Sequence, residues 1–323
     1  MATPYHPENR HPLILEGLWG VGKTTLAEAY AAAHGYAFLP EPRHDEAPEP
    51  VHDLDAWYTD AHAARDARLS PGAATVSERS ILSSFAFSYA LGRPTPSADY
   101  LESFKEKIRA SSAGLIYLAG NERTLPDDVQ RFSPDIQRII TDPATRARYA
   151  AFYTHVLPER YGIAPFILDA ERDNVRRPVG DLSRDIEAML AADRVCQVNV
   201  VCRAPSGKVL VLERSARKGG FWQTITGGVH LGEDLPSAAA REVAEELGIT
   251  GARVHPCDYA YAFMGAEGYT LREWVFSCTI DDGIPVTLSD EHAQARWLSP
   301  EEAISLVRFD TNKEAIRRAG IKR

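Results

Sequence analysis

The chain has 323 residues, of which 44% are hydrophobic, 25% charged and 9% aromatic, a balance that excludes disordered, collagen-like and disulfide-stapled classes. A formal net charge of −9 argues against holding nucleic acid through an overall field, and no run approaches the roughly 20 apolar residues of a membrane helix. The opening residues lack the apolar stretch of a secretory signal. The expectation is therefore a cytoplasmic enzyme with small-molecule partners, no nucleic acid and no membrane.

Taken in order, the first half alternates strand-like runs at 12–15, 36–39, 74–77, 114–118 and 165–168 with helical patterns at 24–33, 56–69, 98–111, 145–157 and 181–190. Strands alternating with helices predict βαβ units, here a five-stranded parallel sheet with flanking helices and ligands at the carboxyl ends of the strands. The pattern then changes. Runs at 195–203 and 208–213 flank the turn Ala204-Pro205-Ser206-Gly207, a single helix is expected at 236–247, and a further strand at 273–280. This reads as α+β, a mixed sheet with one helix, and gives two domains, residues 1–192 and 193–323. All four cysteines (Cys196, Cys202, Cys257, Cys278) fall in the second, without the close pairs of a zinc or redox site.

Directly after the first strand stands Gly17-Leu18-Trp19-Gly20-Val21-Gly22-Lys23-Thr24, which fits the phosphate-loop pattern G-x-x-x-x-G-K-[ST]. Gly17, Gly20 and Gly22 let the backbone wrap phosphates, and the following helix adds the positive end of its dipole. Lys23 is expected to reach the β- and γ-phosphates, Thr24 to ligate Mg²⁺, and Thr25 to join the nucleotide site.

The acid before the loop (Leu15-Glu16-Gly17), the pair Glu41-Pro42 after the second strand, and Ser77-Glu78-Arg79-Ser80-Ile81-Leu82-Ser83-Ser84 after the third resemble the thymidylate kinase and deoxynucleoside kinase superfamily. The likeness spans about residues 12–191 and implies ATP as phosphoryl donor with Mg²⁺ (or Mn²⁺), Glu41 as the base for the acceptor hydroxyl, and Arg79 holding the acceptor and the transferring group. It also implies that Arg123 or Arg131 closes over the transition state from a lid at 121–131, and that a homodimer forms. Two positions depart from the resemblance: Trp19 stands where the family often has an acid, and Arg43-His44-Asp45 where Gly-Gly-Thr is common. The acceptor is left open between a nucleoside and a nucleoside monophosphate.

Residues 227–249 read GGVHLGEDLPSAAAREVAEELGI and fit G-x5-E-x7-R-E-U-x-E-E-x-G-U throughout. On a helix Glu242, Glu245 and Glu246 share one face, and three carboxylates so close call for hard cations such as Mg²⁺ or Mn²⁺. The stretch resembles the signature of the Nudix hydrolase family. That resemblance implies Glu245 and Glu246 as metal ligands, Glu242 as ligand or base, and Arg241 as the residue that orients a carboxylate. Glu291 is a further candidate metal ligand or base outside the box. The segment Phe221-Trp222-Gln223-Thr224-Ile225-Thr226-Gly227-Gly228 and the ending Thr311-Asn312-Lys313-Glu314-Ala315-Ile316 resemble the dATP and dihydroneopterin triphosphate pyrophosphohydrolases.

The leading expectation is a bifunctional enzyme of nucleotide metabolism, a nucleoside or nucleotide kinase fused to a pyrophosphohydrolase. The alternatives are a hydrolase regulated by a nucleotide-binding P-loop domain, or a nucleotide sensor without turnover.

Overall fold

A computed structural model of the chain describes residues 10–49, 53–120, 126, 128–266 and 268–320. Two compact units result, one of Met1–Val195 with His230–Glu233 and Ala266–Thr270, the other of Cys196–Val229, Asp234–Gly265 and Leu271–Arg323.

The first unit runs β1 (Leu13–Gly17), α1 (Lys23–His34), β2 (Ala37–Leu39), α2 (Leu54–Asp66), β3 (Thr75–Glu78), α3 (Ile81–Leu91), α4 (Ala98–Ser111), β4 (Gly114–Ala119), α5 (Pro134–Thr141), α6 (Pro143–Ala151), α7 (Leu157–Tyr161), β5 (Phe166–Asp169), the short hairpin β6 (Glu171–Arg172) and β7 (Val175–Arg176), and α8 (Val179–Ala192). The five main strands pair in parallel in the order β2-β3-β1-β4-β5. β1 is wholly buried, as a central parallel strand covered on both faces must be. The strand order reverses at β1, which opens a crevice beyond its carboxyl end. The loops after β1 and β3 meet there.

Two helices show where local pattern and fold diverge. The run expected as one helix at 145–157 forms α6 and α7 with a π-helical turn, Phe152–Val156, between them. α3 was not anticipated: it buries Ile81, Leu82, Ser83, Phe85, Ala86, Ser88 and Ala90, and a helix buried on most of its circumference shows no polar stripe. Its start is capped by Ser80, whose side chain accepts from Leu82 N.

The second unit contains β8 (Cys196–Arg203), β9 (Val209–Arg214), β10 (Trp222–Gln223), β11 (Ile225–Val229), α9 (Leu235–Leu247), β12 (Val254–Met264), β13 (Thr270–Thr279), β14 (His292–Leu298), α10 (Pro300–Leu306) and α11 (Asp310–Ala319). Its seven strands form a mixed sheet in which β8 runs parallel to β13 and antiparallel to β11. α9 packs on β11 and β8, and α11 packs on β8 and β12. The expectation of a single helix is corrected, since α10 and α11 cover the second face through Ala303, Ala315 and Ile316. α9 begins at the capping residue Asp234, which accepts from Ser237 N, and ends at Gly248 in the left-handed region. Cys196, Cys202 and Cys278 are buried and form no disulfide among the described residues.

Between these layers Glu273 is buried. It accepts from Tyr261 and from Asn199 Nδ2 at 2.9 Å, and Asn199 accepts in turn from Thr224 at 2.7 Å. Burial pushes the Glu273 carboxyl up to about 8, against the Asn199 bond, which pulls it down. From its ordinary value of 4.5 up to about 8, the folded protein keeps a proton that the unfolded chain releases. This contribution is whole below that range and is lost as pH rises through about 8. Glu273→Gln should therefore gain thermal stability relative to wild type progressively as pH is raised toward 9, as read by melting curves across pH. A gain independent of pH would contradict the assignment.

Candidate functional site

In the first unit, the loop from Gly17 to Gly22 turns β1 into α1. Gly22 has φ 100°, and a Cβ there would lie 2.5 Å from Arg176 Nη2. The positive φ is the condition that calls for glycine. Lys23 is buried and donates from Nζ to Leu18 O at 2.8 Å. Burial, with Arg79 adding to it, lowers its pKa to about 7. Thr24 and Thr25 are exposed on the first turn of α1, and Thr24 Oγ1 donates to Glu78 Oε1 at 2.8 Å. A hydroxyl beside a carboxylate at this helix end fits Mg²⁺ chemistry.

Arg79 stands between β3 and α3 in the left-handed region, at φ 66°, a conformation that costs a non-glycine residue roughly 1–2 kcal/mol. Its side chain is buried against Glu41, which accepts from Nε. From Nη1 it donates to Tyr149 at 3.0 Å and to Gly17 O at 3.2 Å. Burial opposes its charge, and Glu41, Tyr149, Glu16 and Tyr153 together more than offset this, so its pKa moves up. Glu41 in turn is lowered, because Arg79 and Lys23 overcome its burial. The guanidinium lies 4.0 Å from the Trp19 ring centroid, so the residue that departs from the kinase pattern forms a cation–π wall for Arg79. Among the described residues, Arg79 Nη2 is buried without a partner.

Glu16 anchors this frame from below. It accepts from Ser80 N, Ser80 Oγ, Ser83 Oγ and Tyr153 OH, at 2.6 to 2.8 Å. Tyr153 comes from the π-helical turn, a feature that often marks functional sites.

Beside Glu41 and Arg79 opens a cavity of about 800 Å³ with Trp19, Tyr58, His62, Phe87, Arg131 and Phe132 on its walls. Arg93 bridges two more wall residues, Asp55 at 3.3 Å and Asp135 at 2.6 Å. Burial, together with Arg65 and Arg79, holds His62 down to about 3, so its ring is neutral. Arg131 lies over Phe132, 4.7 Å from the ring centroid, on the wall of the cavity that Trp19 also lines. Arg123 lies outside the described residues. The sequence reading missed Arg176, whose Nη2 donates to Val21 O at 3.2 Å; it sits in a two-residue strand with no motif around it.

In the second unit, α9 presents Glu242, Glu245 and Glu246. Gly227 makes room for the first, because a Cβ there would lie 1.7 Å from Glu242 Cδ. Glu242 is thereby buried, and burial raises its pKa; Glu245 and Glu246 add to the rise and Arg241 opposes it. Arg241 donates to Glu242 at 2.7 Å, to Glu245 at 3.2 Å and to Gly228 O at 2.6 Å. Glu246 instead accepts from His292 Nδ1 at 2.6 Å and from Ser289. Its pKa is lowered, since these bonds outweigh its burial.

Glu291 is engaged by two cations. Its oxygens pair with Arg214 at 2.9 Å and Lys218 at 2.8 Å, and the neighbouring His292 is the residue that reaches the box. Among the described residues, no three His, Cys, Asp or Glu side chains converge as a preformed metal cage. The donor set itself, carboxylate oxygens on one helix face with Glu242 cradled by Gly227, fits a hard divalent ion.

Residues 194–319 match the NUDIX domain model. The chain carries a Nudix domain at its C-terminal end. It is 33% identical over 120 residues to an octanoyltransferase of Myxococcus xanthus, over 36% of this chain and 33% of that protein. It is 34% identical over 108 residues to an uncharacterized Nudix hydrolase of Pseudomonas aeruginosa, over 32% of this chain and 62% of that protein. With the dihydroneopterin triphosphate diphosphatase of Escherichia coli it shares 29% over 129 residues, 36% of this chain and 85% of that enzyme. The chain thus spans less than two thirds of the length of the first two, and the likeness is one of domains.

Gly227→Ala should evict Glu242 from its cradle while the Nudix domain stays folded. The expected outcome is Mn²⁺ affinity weakened about tenfold or more, read by titration calorimetry, with little change in far-UV circular dichroism. Unaltered affinity would show that Glu242 does not need this cradle.

Proposed function

We propose that the Nudix domain hydrolyses a nucleoside triphosphate, or another nucleoside diphosphate derivative, releasing pyrophosphate from a triphosphate. The observation that carries this reading is the single face of α9, where Arg241 orders Glu242 and Glu245 against Gly228 O. Glu245 and Glu246, joined by Glu242 where it does not act as base, would hold a divalent ion, which would supply phosphoryl polarisation and a more acidic bound water. Glu242, whose burial favours its protonated form, is suited to take a proton from the attacking water. Arg214 and Lys218, now shared with Glu291, provide positive charge for the phosphate chain. The 29% identity over 85% of the dihydroneopterin triphosphate diphosphatase supports a triphosphate as the substrate class.

A second activity is favoured by the cavity of about 800 Å³ beside Glu41 and Arg79. We infer that the first unit transfers phosphate from ATP to a nucleoside or nucleoside monophosphate. The aromatic walls suit a flat base, Glu41 can accept the proton of an acceptor hydroxyl, and Lys23 with the start of α1 suits the donor phosphates. Run on one nucleotide, the two activities would oppose each other and waste ATP. They are therefore assigned to different substrates or to different steps.

Glu246→Gln should reduce Mg²⁺-dependent pyrophosphate release by about 100-fold or more, followed by ³¹P NMR over a nucleotide panel. Near-normal release would remove the metal role of the box. In the same panel Lys23→Ala should abolish phosphoryl transfer and leave pyrophosphate release intact. A wild-type protein that binds ATP without transferring phosphate would make the first unit regulatory instead.

A further inference from the structure

The three box carboxylates are not held alike. Glu242 and Glu245 share Arg241, which belongs to the box itself, whereas Glu246 turns to a segment that the motif does not contain. Its Oε2 accepts from His292 Nδ1 at 2.6 Å and also from Ser289 Oγ. Among the described residues its Oε1 has no hydrogen-bond partner. The His292 side chain is 1% exposed, and its Nε2 is buried without a partner. An unpaired buried nitrogen costs stability, so an apolar side chain of similar shape would pack there at less expense. The imidazole is explained by what its other nitrogen does.

The segment is also tied to the helix that carries Glu246. Thr287 N donates to Leu247 O at 2.9 Å, and His292 N donates to Ser289 O at 3.3 Å. The first bond pins the segment to the end of α9, and the second sets Ser289 and His292 on one tight turn. A glutamate has three side-chain torsions to order, and two donors on one oxygen fix the rotation of its carboxylate. A carboxylate accepts only, so the His292 tautomer in this contact carries its proton on Nδ1.

We propose that His292 and Ser289 are positioning residues for Glu246, engaging Oε2 so that Oε1 is presented to a divalent ion. This rests on the reading of the box as a metal site, and the experiment separates the two. Mn²⁺ binding to the full chain is measured by calorimetry and by the EPR signal of free Mn²⁺, without substrate, for wild type, Glu246→Gln, His292→Leu, His292→Asn and Ser289→Ala. His292→Leu should weaken Mn²⁺ binding by roughly 10- to 100-fold, the range for loss of a carboxylate's supporting hydrogen bond. His292→Asn, whose amide N–H can replace Nδ1–H, should recover most of that loss.

Wild-type affinity in His292→Leu beside a weakened Glu246→Gln would overturn the positioning role. Wild-type affinity in Glu246→Gln would overturn the metal reading and the proposal together. Should His292→Leu fail to fold, Ser289→Ala decides at its half-buried position: weakened binding supports the proposal, and affinity within twofold of wild type overturns it.

Discussion

A guanidinium taken out of water costs several kcal/mol unless its charge is met where it lies. Arg79 is buried, and the first unit is arranged to meet that charge. Glu41 arrives from the loop after β2, Gly17 O from the end of β1, Tyr149 from α6 and the Trp19 ring from the phosphate loop. Satisfying one cation thus gathers four elements at the crevice where the strand order reverses. The left-handed backbone at Arg79 is the strain accepted for this placement. Glu16 completes the frame: each of its oxygens accepts two hydrogen bonds.

The Nudix domain faces the opposite problem, an excess of negative charge. Three carboxylates within two turns of α9 repel one another, and the structure divides them. Arg241 stands between Glu242 and Glu245, whereas Glu246 is drawn toward Ser289 and His292. Gly227 contributes by having no side chain, since Glu242 occupies the space a Cβ would need. The net charge of −9 takes on a local meaning here. Part of that acidity is concentrated where a cation can bring phosphates and carboxylates together, so an acidic chain and an anionic substrate are compatible.

The two units place unlike groups at their candidate sites. The first sets Lys23, donating to Leu18 O, at the start of α1 beside a glycine-rich loop. The second offers carboxylates, which engage anions only through a cation.

What was legible in the sequence follows the range of the interactions involved. The helix at 98–111 and the strand beginning at 114 were readable because their periodicity is local. α3 was not, because burial around most of its circumference erases the polar stripe. β12 was passed over because most of its residues are exposed or half-buried and give no apolar run. The phosphate loop and the glutamate box could be recognised because each confines its chemistry to contiguous residues, where spacing along the chain sets geometry directly. The chain by itself thus determined the alternating strand and helix pattern of its first part, the change of pattern after it and the two contiguous motifs. Only the tertiary structure decided that Arg79 meets Glu41 across 38 positions, that Glu246 meets His292 across 46, and that Arg176 reaches the phosphate loop. Such contacts depend on which strands become neighbours, and that choice is made by burial of the whole core rather than by any local pattern.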